Sequence, residues 1–122
     1  MNETYILPFD RFWSWLLTHP NCIIRAGTPE VVLHDDEALH WGFFSEGPNT
    51  LVAQLLRGKM VLAELLIDPE TVAHVRVVPP ESEGEFPFEL VGQGDEAEVA
   101  IYFFVMIHPF DEEDAGSGAA IH

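Results

Sequence analysis

Apolar and polar positions alternate along most of this chain, and the pattern predicts a protein built mainly of β-strands. Short apolar runs are separated by turn signals at Gly27 to Pro29, at 45–49, at Asp68-Pro69 and at Pro79-Pro80. The near-continuous apolar run from Val99 to Ile107 predicts a central strand that is covered on both faces.

One segment near the N-terminus has helical periodicity instead. The spacing predicts an amphipathic helix over about Pro8 to Thr18, with Pro20 as its stop. Its expected apolar face recurs at helical spacing and consists of Phe9, Phe12, Trp13, Leu16 and Leu17. Trp15 falls off that face, beside Arg11 and Thr18.

Two further segments decide the topology. Residues 31–44 have two strand-like halves around the sequence HDDEA, which is typical of a hairpin with an acidic tip. Residues 51–67 fit either a helix or two buried strands, and Gly58 between Arg57 and Lys59 favours the strands. The strand ending at Gly92 and the one starting at Glu98 form a last pair, joined by GQGDEA.

These elements predict an α+β fold. The helix packs on one antiparallel sheet of about five to seven strands. We expect a single domain over residues 1–110, followed by an acidic, disordered tail over residues 111–122.

Composition agrees with a folded domain in a reducing compartment. The chain has 122 residues, of which 48% are hydrophobic, and this is enough to build one core. Cys22 is the sole cysteine, so no disulfide can form within the chain. The N-terminus lacks the pattern of a secretory signal, and no apolar run reaches the ~20 residues of a membrane span. We therefore expect a cytoplasmic protein.

The net charge restricts the expected classes of partner more than any other feature of the composition. The formal net charge is −16, and residues 62–122 hold fourteen acids against a single base, Arg76. Direct binding to nucleic acid or to an anionic membrane is disfavoured, because both need a cationic surface. A basic protein partner is favoured.

No catalytic motif accompanies this charge. There is no phosphate-binding loop and no nucleophile elbow, and Cys22 fits a structural role better than a catalytic one. We therefore predict neither catalytic residues nor a cofactor. The enzymatic alternative is a small metal-dependent enzyme, in which His34, Asp36 and His40 meet across the acidic hairpin.

The acids themselves are the candidate site. If the chain around Glu81, Glu83 and Glu85 is extended, these side chains project to one side, like a row of phosphates. Two more clusters belong to the predicted partner-binding surface: Asp35, Asp36 and Glu37, and Asp95, Glu96 and Glu98. Tight binding also needs an apolar anchor, for which Trp15 is the first candidate and Phe44 and Phe86 are weaker ones.

The sequence thus favours a non-catalytic interaction module that regulates, shields or neutralises a basic protein. An immunity protein, an antirepressor or DNA mimic, and an adaptor or chaperone would all fit. The acidity also fits simpler roles: solubility of an apolar chain, adaptation to a salt-rich cytoplasm, or protection of sheet edges from aggregation. A structural subunit that forms a homodimer or larger homo-oligomer is a further alternative.

Overall fold

A computed structural model describes residues 5–80 and 82–110 and shows an α+β fold, as predicted. Its elements, in chain order, are β1 (Tyr5–Leu7), α1 (Phe9–Leu17), β2 (Ile23–Gly27), β3 (Val32–His34), β4 (His40–Ser45), β5 (Leu51–Arg57), β6 (Met60–Ile67), β7 (His74–Val77), β8 (Phe86–Gln93) and β9 (Glu98–Met106). Short 3-10 turns at Pro20–Cys22 and Pro69–Thr71 precede β2 and β7. The predicted tail over 111–122 lies outside the described residues.

The strands form two sheets rather than the one that was predicted. The large sheet has six strands in the order β1-β7-β8-β9-β2-β3, and the small sheet has three in the order β4-β5-β6. All pairs in both sheets are antiparallel. The predicted hairpin over residues 31–44 is wrong, because β3 belongs to the large sheet and β4 to the small one. Alternation predicts strands but says little about which strand pairs with which.

The core lies between the two sheets and includes the helix. Phe12 of α1 packs against Phe88 and Phe104 of the large sheet, with ring centroids 5.1 and 5.8 Å apart. Trp13 meets Phe43 of the small sheet edge-on at 5.7 Å. One face of each sheet therefore remains outside this core.

The helix is shorter than predicted and is rotated relative to the prediction. Phe12, Trp15 and Leu16 are its buried residues, whereas Leu17 is 43% exposed. The predicted exposure of Trp15 is wrong. Because α1 is contacted from several sides, its buried stripe is centred one position away from the face that periodicity alone identifies.

The small sheet confirms the strand interpretation of residues 51–67. β5 and β6 pair through a tight turn at which Gly58 has a φ of 61°, a left-handed conformation that favours glycine. The predicted full burial of the last strand is only partly right. In β9 just Phe104, Val105 and Met106 are buried, and Val99 is 47% exposed.

No helix among the described residues is long and apolar enough to cross a membrane.

Candidate functional site

The large sheet is incomplete beside the first half of β9. β9 has nine residues and β2 has five, and β2 pairs with β9 no further than the pair Gly27 and Phe103. The segment from Glu98 to Tyr102 pairs with β8 on one side only, within the described residues. Main-chain donors and acceptors along such an edge are available to another chain.

The chain leaves β2 at this point for a local reason. Thr28 and Val31 exchange backbone hydrogen bonds of 2.9 and 3.3 Å, and the Thr28 hydroxyl accepts from the amides of Glu30 and Val31. Pro29 within this turn has no amide to donate to a sheet. The turn folds the chain back into β3, so β2 stops short of the first half of β9.

A groove occupies the space that a longer β2 would fill. It encloses about 630 Å³ and is lined by Thr28, Pro29, Glu30, Thr71, Val99, Ala100, Ile101 and Tyr102. We call it the β9 groove. This volume lies within the range of about 300–1,000 Å³ that is typical of ligand sites. Its lining is mostly apolar, and Glu30 is the one charged residue among these eight.

The second wall of the β9 groove is the segment that follows β6. The Asp68 amide donates to the Tyr102 hydroxyl at 3.2 Å, and the Thr71 hydroxyl donates to the Asp68 carbonyl at 2.8 Å. Gly92 permits this close approach, because a Cβ there would come within 2.5 Å of the Thr71 carbonyl oxygen. The wall is thus held against the sheet by specific contacts.

Carboxylates are concentrated at the end of the large sheet where β9 begins, which we call the open end. Glu30 lines the groove, and Asp68 and Glu70 lie in the segment that leads to its lining residue Thr71. Asp95, Glu96 and Glu98, three of the predicted partner-binding residues, occupy the loop before β9 and its first position. Among the described ion-pair contacts, the one that involves these three acids joins Glu98 to the His74 imidazole at 3.6 Å. The open end is therefore strongly anionic.

The other predicted acids lie at the opposite end of the large sheet, where β9 finishes, which we call the closed end. Asp35, Asp36 and Glu37 follow β3 there. The expected row of glutamates does not form: Glu83 and Gly84 make a turn closed by a hydrogen bond from the Glu85 amide to the Ser82 carbonyl. Glu81 lies outside the described residues. The predicted acids thus form two separate surfaces.

Glu85 is paired rather than free to meet a partner. The Arg25 guanidinium donates to its carboxylate at 2.9 Å. This hydrogen bond from Arg25 lowers the pKa of Glu85 below its ordinary value. A similar pair joins Arg76 and Glu89 at 2.8 Å on the outer face of the large sheet. Two of the five cations in the chain are therefore occupied by neighbouring acids.

The candidate anchors also differ from their predicted roles. Trp15 is fully buried and packs its indole ring 5.4 Å from Phe88 and 5.2 Å from Phe110. It contributes to the core and offers no surface to a partner. Phe86 is half-buried and packs on the core, whereas Phe44, 44% exposed, remains accessible on the small sheet.

The geometry expected for a metal site is not built by the described residues. His34 ends β3 and His40 begins β4, and these strands belong to different sheets. Within residues 5–80 and 82–110, no three His, Cys, Asp or Glu side chains are grouped to hold a metal ion. The structure gives the metal-dependent alternative no support.

A contact that the sequence did not suggest joins Cys22 and His108, which are 86 positions apart. The His108 Nε2 atom lies 3.0 Å from the Cys22 sulfur, and the Ile107 amide donates to the Cys22 carbonyl at 2.9 Å. Burial raises the pKa of the Cys22 thiol, so the neutral thiol predominates at pH 7. The contact joins the residue just before β2 to the segment after β9 at the closed end.

The β9 groove itself was missed by sequence reasoning. The turn at Thr28 and Pro29 is recognisable from the sequence, but its position beside β9 depends on a pairing between segments more than seventy residues apart. The one local signal in the sequence is the charged start of β9, since Glu98 precedes a strand that carries no other charge.

Comparison of the chain with protein-family models, with curated proteins and with solved structures finds no match.

Proposed function

We propose that this protein is a non-catalytic, cytoplasmic interaction module that binds an extended, Lys- or Arg-bearing segment of a basic protein in the β9 groove. The bound segment would add as a strand to Glu98–Tyr102, in the position that β2 leaves empty. The observation that carries the proposal is a strand edge that no described strand pairs with, inside a groove at the acidic end of the large sheet.

The chemistry of strand addition suits this site. Main-chain hydrogen bonds to the free edge supply affinity for any extended peptide. Every second side chain of that peptide would point to the apolar lining at Val99 and Ile101, and the others would point away. Carboxylates at Glu30, Asp95 and Glu96 then favour cationic side chains and speed the encounter.

Regulation, neutralisation or escort of the basic partner are outcomes that binding of this kind would give. An immunity, antirepressor or adaptor role therefore fits the same site. Nucleic acid and anionic membranes are not expected ligands, because the open end would repel phosphate.

A direct test uses a fluorescein-labelled peptide in which lysine alternates with valine, with binding followed by anisotropy. Affinity should fall strongly between about 50 mM and about 500 mM salt, since the screening length shortens several-fold. A peptide with proline in place of each valine should not bind, because proline cannot donate the ladder hydrogen bonds. Equal binding of both peptides would exclude strand addition.

Two variants of equal charge locate the site. The variant D95N/E96Q/E98Q neutralises three carboxylates at the open end, and the matched control D35N/D36N/E37Q neutralises three at the closed end. We expect the first to weaken binding by about tenfold or more, equivalent to about 1.4 kcal/mol, and the second by much less. Equal losses would show that net charge alone attracts the peptide, and the proposed groove would be wrong.

A further inference from the structure

The small sheet ends in a long apolar edge strand. β6 is the outermost strand beside β5 in the order β4-β5-β6. Four of its side chains are 40–59% exposed, namely Met60, Val61, Leu62 and Leu66. The strand contains no proline and one charged residue, Glu64. Exposed edges of this kind pair readily with another chain unless charge or proline prevents it.

The outer face of the small sheet continues this apolar surface. Phe44, Val52 and Leu66 are direct neighbours across the three strands. Val52 in the middle is buried, whereas Phe44 and Leu66 are 44% and 54% exposed. In the next row the Gln54 amide donates to the Glu64 carboxylate at 2.7 Å, which satisfies the single acid of β6 within its own sheet. Neither side chain then hinders pairing along the edge.

Opposite charges flank the two ends of β6. The turn before it carries Arg57 and Lys59, and neither joins an ion pair among the described residues. The segment after it carries Asp68 and Glu70, both exposed. In a chain with five bases and twenty-one acids, two of those bases lie at one end of this strand.

From these observations we infer that two copies of this chain associate through an antiparallel pairing of β6 with β6, forming one six-stranded sheet across a two-fold axis. Antiparallel pairing sets the start of one β6 beside the end of the other. The Arg57–Lys59 turn of each copy then faces Asp68 and Glu70 of its mate, and the two-fold axis repeats the contact.

The charge pattern favours a second copy over a basic partner at this edge. A uniformly cationic segment would meet Arg57 and Lys59 at one end and be repelled there. A second copy meets opposite charge at both ends. At about 150 mM salt the Debye length is about 8 Å, so these close charges act while distant repulsion between the two acidic chains is mostly screened.

The first test is the oligomeric state of the full chain, measured by sedimentation equilibrium over a range of concentrations at physiological salt. The inference expects a reversible monomer–dimer equilibrium. A chain that remains monomeric at the highest soluble concentration would overturn it. Circular dichroism and thermal melts establish that the variants described next keep the fold of the parent chain.

A charge swap then tests the interface itself. In a homodimer of the Lys59→Glu variant, the new glutamate would face Asp68 and Glu70 of the mate. In a homodimer of the Glu70→Lys variant, the new lysine would face Arg57 and Lys59. Each variant alone should dimerise at least tenfold more weakly than the parent chain. Mixed together they should form a heterodimer near parental affinity, because both end contacts become complementary again. The heterodimer is detected by pull-down of one tagged variant with the other.

In the matched control, the variant Asp36→Lys takes the place of the variant Glu70→Lys. The two variants have the same net charge, but Asp36 lies at the closed end of the large sheet. The Asp36→Lys variant should not restore dimerisation when it is mixed with the Lys59→Glu variant. If it does so equally well, or if neither variant weakens the parent dimer, the contact lies elsewhere and the inference is wrong. The proposed peptide site is judged separately, from peptide binding to the parent chain, because Glu70 adjoins a wall of the β9 groove.

Discussion

The two ends of the large sheet use the same kinds of residue for different purposes. At the closed end, Glu85 pairs with Arg25, and an aromatic cluster around Trp15 covers the strand ends. At the open end, β9 pairs along Glu98–Tyr102 with β8 alone among the described strands, and the neighbouring carboxylates have no described Lys or Arg ion-pair partner.

Acidity and aromatic content are therefore not signals of function by themselves. A carboxylate that accepts a hydrogen bond from an arginine is part of the fold, and a carboxylate beside an empty strand position is available to a partner. The distinction depends on strand pairing, which places Arg25 near Glu85 and keeps every arginine and lysine out of the β9 groove lining.

Among substitutions that distinguish the two ends of the large sheet, one at Trp15 should reduce stability most. Trp15→Ala removes a fully buried indole and should lower the free energy of unfolding by about 3–5 kcal/mol. Phe44→Ala, at an exposed position, should cost less than about 1 kcal/mol. Urea denaturation measures both. Similar losses for the two variants would contradict the structural role of the closed end.

An intermediate effect is expected where β2 stops. Gly27→Ala adds a Cβ that would overlap the Val31 carbonyl oxygen, so the turn that forms one wall of the β9 groove must move. We expect a loss of about 1–3 kcal/mol in stability, together with weaker binding of the lysine–valine peptide.

Gly42→Ala is the matched control, because its Cβ would meet the flexible end of Leu56 at 3.2 Å. Its peptide affinity should equal that of the parent chain. If Gly27→Ala lost stability but kept full peptide affinity, the turn would not be a wall of the binding site.

The smallest effect concerns pH at the closed end. The Arg25 hydrogen bond lowers the pKa of Glu85, so this pair stabilises the fold above the ordinary glutamate pKa and is lost as pH falls through the lowered value. Arg25→Met should therefore destabilise the protein at neutral pH, and the difference from the parent should vanish in acid.

Urea midpoints across this pH range, with an NMR titration of the Glu85 carboxyl, check the prediction. Arg57→Met serves as the control at protein concentrations too low for dimerisation, because Arg57 joins no ion pair among the described residues of one copy. A constant difference between Arg25→Met and the parent at all pH values would show that arginine packing, rather than the ion pair, stabilises this end.

Much of the secondary structure was predictable, because it depends on local patterns. The helix near Phe12, the β5–β6 turn at Gly58 and the β8–β9 pair all follow from periodicity and turn residues. The division into two sheets was not predictable, since an alternating strand fits either sheet equally well. Nor was the burial of Trp15, which depends on contacts with Phe88 and Phe110 far along the chain.

The candidate site was predicted only in part. Asp95, Glu96 and Glu98 were predicted to be acids that a partner would meet, and the structure places them in the loop before β9 and at its first position, just before the groove-lining Val99. The groove itself arises from a mismatch between a five-residue strand and a nine-residue strand. Such a mismatch is visible only when two distant segments are known to pair.

The pairing of distant strands also has a consequence for synthesis of the chain. The small sheet is a meander of local hairpins, whereas the large sheet joins Leu7 to Val75 and Gly27 to Phe103. Local contacts form fast and distant ones slowly. On the ribosome we therefore expect the small sheet to form first. Leu65 and Ile67, which are buried in the folded protein, would stay exposed to solvent until β9 has been synthesised. We therefore expect a chaperone to bind the nascent chain at this stage.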